Sequence, residues 1–315
     1  MIAFVFPGQG AQYAGMGRRL AEAFPEARAV FERADRLLGI ELSHLCWEGP
    51  EDRLKETAIT QPAILTTSVA ALAILEQRGL ACDVAAGLSL GEYTALVAAG
   101  ALAFEDALPL VQARGRFMQE AAAGRATAMA ALLGIDAGAV EALCRRAAAK
   151  GVVEPANFNG PGQTVIAGDE AAVEEAIALA RAAGARRAVR LPVSAPFHTS
   201  LMAPAAERLR PLLEQVPLRP PRVPVVSNVT AQPTRSPEEI RRHLISQVAQ
   251  PVQWEASVRQ MSALGVQTFV EIGPGSTLVG LIGKIVPGAR LLRVEDPETL
   301  AGTLQGLAEG ARTHG

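Results

Sequence analysis

Gly87-Leu88-Ser89-Leu90-Gly91 sets one serine between two glycines, after the apolar run 84–86 and ahead of an alanine-rich, helix-forming run at 92–99. A Gly-x-Ser-x-Gly between a strand and a helix is a nucleophile elbow, because the glycines permit a turn crowded enough to lift the serine hydroxyl above the sheet. The chemistry this offers is attack on an acyl carbon. A serine hydroxyl is a weak nucleophile until a base takes its proton, and histidine is the usual base at neutral pH. The chain has four histidines. His44 lies in a short amphipathic stretch beside Leu45 and Trp47, His243 follows Arg241 and Arg242 on what is expected to be a solvated helix face, and His314 is in the tail. His198 closes Leu191-Pro-Val-Ser-Ala-Pro-Phe-His198, where two prolines favour an extended loop just after a strand end. Taken singly, Ser89 and His198 could each be ordinary loop residues; together they favour catalysis.

The oxyanion that such an attack creates needs preorganised donors, usually backbone N–H groups. In an elbow the residue after the nucleophile supplies one, here Leu90. A second is expected from another strand end, and Gln9 in Pro7-Gly8-Gln9-Gly10 is the candidate, because its glycines allow close backbone approach.

These residues need a scaffold, and 315 residues at 49% hydrophobic and 20% charged can build a sizeable core. The formal net charge of −2 gives no global attraction to nucleic acid or an anionic membrane. Cys46, Cys82 and Cys144 are far apart with no Cys-x-x-Cys, so neither a disulfide framework nor a metal site is expected, and a reducing cytoplasm fits. The N-terminal apolar run lacks a basic lead and stops at Pro7. The other apolar runs are broken by charge, Gly or Pro before about 18 residues, so no membrane span is expected.

Hydrophobic patterning predicts a strand at 2–6 and helices at 17–38 (interrupted at Pro25) and 62–78, the latter opened by Thr60 and an early-turn proline. The elbow strand and helix follow, then a helix over 104–123. Between 125 and 191 the predicted order is strand 127–133, helix 136–148, strand 152–157, strand 164–167, helix 169–183 and strand 186–191, which is a βαββαβ, or ferredoxin-like, unit. Afterwards α/β alternation resumes, with helices near 204–215, 237–248 and 254–264, strands at 223–227, 268–272 and 290–294, and a last helix. The expected fold is therefore α/β: a large α/β-hydrolase-like subdomain with a parallel sheet core, made of 1–124 and 192–315, with a small ferredoxin-like subdomain at 125–191 inserted.

Taken together, these segments resemble the malonyl-CoA:acyl-carrier-protein transacylases and the related acyltransferase domains of polyketide synthases. The resemblance rests on Phe6-Pro-Gly-Gln-Gly10, Gly87-Leu-Ser-Leu-Gly-Glu-Tyr93, Gln112-Ala-Arg-Gly-Arg-Phe-Met-Gln119 and Ala195-Pro-Phe-His198. Asn157-Phe-Asn-Gly-Pro-Gly-Gln163, Gln250-Pro-Val-Gln-Trp254 and Glu271-Ile-Gly-Pro-Gly275 extend it. It implies ping-pong transfer in fatty acid biosynthesis: Ser89, activated by His198, takes the malonyl group from malonyl-CoA and passes it to the phosphopantetheine thiol of an acidic acyl carrier protein. No cofactor or metal is implied, and a cytoplasmic monomer is expected. In the family the second imidazole nitrogen is oriented by a backbone carbonyl, which by motif position belongs to Gln247, with Gln250 as the near competitor.

The resemblance also implies substrate-binding roles for Arg114, Phe197, Met118, Asn157 and Gln9. Arg114 would clamp the malonyl carboxylate, and a planar guanidinium can make two parallel charge-assisted bonds to such a group. Phe197 would leave little room for an α-methyl branch, a discrimination worth about 1–3 kcal/mol. Met118, one helical turn after Arg114, would line the same pocket, with core packing as the alternative. Arg116 falls on the opposite helix face. Arg181, Arg186, Arg187 and Arg190, or Lys284 with Arg290, are the candidate basic patches for the carrier. The family usually has His where this chain has Leu88, which puts a local hydrogen bond or a CoA contact in doubt. Two competing functions use the same residues: a serine esterase or thioesterase, which has no need of Arg114, and a non-catalytic acyl-CoA-binding protein, which has no need to keep Ser89, His198 and Arg114 together.

Overall fold

The computed structural model describes residues 1–193 and 195–312, so Ser194 and His314 lie outside the described residues. The chain opens with β1 (Ile2–Phe6), α1 (Arg18–Ala23), α2 (Pro25–Leu38), α3 (Leu42–Glu48), α4 (Glu51–Leu54) and the long α5 (Thr57–Gln77). β2 (Val84–Gly87) leads through the elbow into α6 (Gly91–Ala98), and α7 (Phe104–Ala121) follows. Next come β3 (Thr127–Leu133), α8 (Ala137–Ala147), β4 (Val153–Gly160), β5 (Gln163–Asp169), α9 (Glu170–Ala182) and β6 (Arg187–Arg190). The last part holds α10 (Ala203–Gln215), β7 (Val225–Val226), β8 (Pro233–Thr234), α11 (Pro237–Gln247), α12 (Trp254–Ala263), β9 (Thr268–Ile272), α13 (Thr277–Ile285), β10 (Arg290–Val294) and α14 (Pro297–Arg312).

Two sheets organise these elements. The larger has the order β10-β9-β1-β2-β7-β8 and is parallel except for β8. Its central strands are buried on both faces, which is why β1 and β2 are short, uninterrupted apolar runs. The smaller sheet, β4-β5-β3-β6, is antiparallel, with α8 and α9 packed on it around their own apolar cluster. The two are joined at a seam, where Asn157 pairs with Val252 and the Phe158 N–H donates to the Val252 carbonyl at 2.9 Å, and where Met129, Ala156, Val165 and Ala167 of the small sheet pack into the large apolar cluster.

Register places the chemistry. Phe6 of β1 lies opposite Gly87 of β2, so the two strands end level and the loops carrying Gln9 and Ser89 emerge side by side at the carboxyl edge. Their contact leaves no room for side chains. A Cβ on Gly91 would stand 2.1 Å from the Phe6 carbonyl oxygen, and one on Gly8 would stand 2.3 Å from that of Leu88. Both glycines are needed for close approach of backbones.

Several expectations are corrected. α5 starts at Thr57, not at Pro62, and the proline sits inside the helix. Burial of Ile59, Thr60 and Gln61 outweighs the one backbone bond that Pro62 cannot donate. By length and composition α5 could cross a membrane, but 89% of its apolar window is buried inside this protein, where it packs on α2 and α7. The strand expected at 223–227 is reduced to two residues, because Pro224 precedes it and Asn228 turns out of it to bond the elbow. α3 and α4 fill the stretch around His44 that carried no helix prediction.

The Gly91–Phe6 contact yields a stability prediction. Gly91→Ala forces the β1 and β2 ends apart and should cost about 1–3 kcal/mol, read as a lower urea midpoint at unchanged m-value. An unaltered midpoint would show that the two loops can separate freely.

Candidate active site

Ser89 stands between β2 and α6 with φ +54°, and His198 has φ +61°. Both are in the left-handed region, which costs a residue with a Cβ about 1–3 kcal/mol and persists only where the surroundings impose it. At Ser89 the imposing group is Asn228. Its Oδ1 accepts the Ser89 N–H at 2.7 Å and its Nδ2 donates to the Gly87 carbonyl at 2.7 Å, so one amide spans the elbow.

The structure brings Ser89 and His198 into direct contact, with Oγ and Nε2 2.7 Å apart. His198 Nδ1 lies 2.7 Å from the main-chain oxygen of Gln247. A carbonyl can only accept, so Nδ1 carries the proton and Nε2 is left as the acceptor for the serine hydroxyl. Burial, aided by the nearby Arg114 charge, pushes the imidazole down to about 4 and keeps it neutral. Of the other described histidines, His44 is exposed. His243 is half-buried, against the expectation of a solvated face, because its ring packs into the protein, with a buried Nδ1 that has no partner among the described residues.

Arg114 reaches the same point from α7. It is 1% exposed, and its Nη2 donates to Ser89 Oγ at 3.1 Å and to Gln247 Oε1 at 2.9 Å, while Nη1 donates to Gln61 Oε1 at 2.8 Å. Its guanidinium carbon is 5.5 Å from the Tyr93 ring centroid. No ion pair involves Arg114 among the described residues. Gly115 makes this depth possible, since a Cβ there would stand 2.4 Å from the Thr57 carbonyl oxygen. Arg116, on the opposite face, is exposed near Glu120.

Gln247 is the junction of the site. Besides its carbonyl on His198 and its Oε1 on Arg114, its Nε2 lies 2.9 Å from the Ser89 carbonyl and 2.7 Å from Glu92 Oε2. Glu92 is 3% exposed, and its carboxyl also accepts the Asn228 N–H at 3.2 Å. Among the described residues the Gln9 and Leu90 N–H groups donate to no protein acceptor. The Gln9 side chain is turned away onto Thr57 Oγ1 at 3.3 Å.

The remaining sequence candidates fall around this cluster. Phe197 and Met118 are buried in one apolar cluster with Leu90 and Tyr93, and the Met118 sulfur accepts from Gln61 Nε2 at 3.6 Å. Asn157 is buried at the seam with Val252. Leu88 packs half-buried against the apolar cluster of Val252 and Trp254. The basic patches are partly neutralised: Arg190 pairs with Glu170 and Glu174, and Arg290 with Glu309. Arg186, Arg187 and Lys284 are exposed without such pairs among the described residues. No three His, Cys, Asp or Glu side chains group as metal ligands among the described residues.

Sequence reasoning missed Gln61, Glu92 and Asn228. Glu92 carried a signal, a carboxyl in the first helical turn directly behind the elbow. Asn228 is a polar residue just past a parallel strand's carboxyl end, where sites form. Gln61 had none, since a glutamine beside proline at a helix start reads as solvated.

Comparison with known proteins adds an independent line. Residues 3–306 match the family model described as acyl transferase domain. The chain is 46% identical over 309 residues to a Bacillus subtilis protein named malonyl CoA-acyl carrier protein transacylase, covering 98% of each. It superposes with TM-score 0.96 and 42% identity on the crystal structure of the Clostridium perfringens protein of that name, covering 99% of each chain. It is also similar, at TM-score 0.95 and 43% identity over 97% of this chain and 99% of the other, to a malonyl-transacylase solved in complex with its type II polyketide synthase acyl-carrier protein.

The assigned tautomer can be measured. Imidazole NMR should show His198 neutral and protonated at Nδ1 from about pH 5 upward, with a midpoint near 4 in place of the ordinary 6.5. A midpoint at the ordinary value would mean that water reaches the ring.

Proposed function

This chain belongs to the malonyl-CoA:acyl-carrier-protein transacylases of the acyl transferase family, and from that premise we propose that its site moves a malonyl group from malonyl-CoA to a carrier-protein thiol through an ester on Ser89. The observation that carries the reading is a buried cation, Arg114, one hydrogen bond from the nucleophile and held only by neutral oxygens. Such a guanidinium selects an acyl group that ends in a carboxylate, and a simple ester hydrolase has no use for it.

The steps follow the contacts. Ser89 Oγ gives its proton to His198 Nε2 and attacks the thioester carbonyl; the oxyanion is met by the Gln9 and Leu90 N–H groups. The tetrahedral species collapses, the C–S bond breaks, and His198 returns the proton to the departing CoA sulfur. In the second half the phosphopantetheine thiol gives its proton to His198 and attacks the malonyl-serine ester; the C–O bond breaks and His198 returns the proton to Ser89 Oγ. Throughout, the Gln247 carbonyl holds the imidazole, and the carboxylate rests on Arg114, with Phe197 and Met118 closing the apolar side. Nucleophile, base and donors all come from the chain, so the proposed chemistry calls for no metal or prosthetic group. We place the boundaries of the small subdomain at 125 and 191, a division supported by its separate apolar cluster, and place the carrier's basic contact among Arg186, Arg187 and Lys284. A role in fatty acid synthesis in the cytoplasm is the setting that fits this activity.

Transfer and hydrolysis separate when the protein is mixed with malonyl-CoA and no carrier. A persistent malonyl adduct on Ser89, absent in Ser89→Ala, is expected by mass spectrometry; rapid release of free malonate would favour a thioesterase. Arg114→Ala should lower kcat/KM for malonyl transfer by about 10²- to 10³-fold, the usual loss on cutting a buried charge pair, and leave acetyl transfer equal or better. Equal losses for both acyl groups would refute the clamp.

A further inference from the structure

Glu92 is buried directly behind the elbow, and no step above uses it. It accepts from Gln247 Nε2 and from the Asn228 N–H through the same oxygen, Oε2. Each of those partners has a second contact on the reacting groups: Gln247 on the imidazole and the guanidinium, Asn228 on the Ser89 N–H. The carboxyl thus sits one residue away from nucleophile, base and cation. Around it, α7 presents Arg114, α6 itself presents Tyr93, and α11 presents the neutral Gln247, whose carbonyl carries His198. β1, β2, β7 and the buried face of α5 present no titratable side chain.

The histidine of this site also lacks what a Ser-His-Asp triad has, a carboxylate on its second nitrogen. When Ser89 gives up its proton, an imidazolium forms near the guanidinium on which the acyl carboxylate rests, with only a main-chain carbonyl on its second nitrogen. Glu92 lies behind the guanidinium and is joined to the imidazole through Gln247. We propose that ionised Glu92 is the positioning residue of this acyl-transfer site, holding Gln247 and Asn228 in the orientation that imidazole, elbow and guanidinium require as Ser89 attacks. This rests on the reading of Ser89 as nucleophile.

Burial pushes the Glu92 carboxyl up to about 7, whereas His198 protonates near 4. The charged form is the active one, so reactivity rises with pH through about 7 and is lost below it, well before the base itself protonates. Glu92→Gln keeps an oxygen for both donors and removes only the charge; Glu92→Leu removes both.

The test follows Ser89 with two reagents in single turnover across pH: malonyl-CoA without carrier, and a fluorophosphonate, whose P–F bond breaks as Ser89 bonds phosphorus and His198 takes the proton. Glu92→Gln is expected to slow both reactions about tenfold or more, with a melting temperature near that of the parent and the acid limb moved from about 7 towards about 4. Wild-type rates in Glu92→Gln, with only Glu92→Leu impaired, would make the residue structural and overturn the proposal; so would slowing without movement of the limb. Should Glu92→Gln not fold, the parent decides by comparison of its acid limb with the Glu92 carboxyl midpoint read by infrared titration: coincidence of the two supports the proposal, and a limb unrelated to that midpoint overturns it. A protein that reacts with the fluorophosphonate and not with malonyl-CoA fails the functional reading instead, and Glu92 is then judged on the phosphonate rates.

Discussion

A guanidinium withdrawn from water with no carboxylate bonded to it is the constraint on which the rest of this structure depends. An ion buried without a directly bonded counter-ion carries a desolvation penalty of several kcal/mol. Arg114 offsets part of it with charge-assisted bonds to Gln61, Gln247 and Ser89 and with the face of Tyr93. What is left uncompensated is an attraction for an anion at a fixed place. Had Gln61 or Gln247 been an acid, the cation would be satisfied internally and that attraction would vanish. Neutral amides hold the group in position without consuming its charge.

The same economy appears at Gln247, where one residue serves with both its main chain and its side chain. Because its carbonyl fixes the imidazole and its amide fixes the guanidinium and the elbow carbonyl, base, cation and nucleophile cannot drift independently. That coupling joins α7, α11, the β2–α6 elbow and the loop before α10, segments separated by up to 158 residues in the chain. The parallel sheet makes it possible, since level strand ends bring the loops of β1, β2 and β7 to one edge. The seam at Asn157 and Val252 then ties the small sheet to the segment five residues beyond Gln247, so the two sheets are joined close to the reacting groups.

Much of this was legible in the residues. The elbow is readable because a glycine-flanked serine between an apolar run and a helical one has few other uses, and His198 because its three rivals sit in unpromising settings. The βαββαβ order and the short buried strands follow from periodicity, which is strong where one face or both faces are apolar. The start of α5 was not legible, because proline argues for a helix end locally and only tertiary burial of residues 57–61 overrides it. Nor were Gln61 and Asn228. Their roles exist only through partners 53 and 139 residues away, and a neutral amide has the same local signature whether solvated or clamped. The pairing of Arg190 with Glu170 and Glu174 was hidden for a similar reason: β6 and α9 are neighbours only once folded.

Ser89 and His198 share a left-handed backbone, and this limits how sequence can vary around them. The residue best suited to that conformation is glycine, followed by asparagine. Neither carries an alkoxide-forming oxygen or an imidazole. Mutational drift towards local comfort at either position therefore erases the reactive atom, and relief of strain and retention of chemistry exclude each other. Any stabilised descendant of this protein must gain its stability elsewhere.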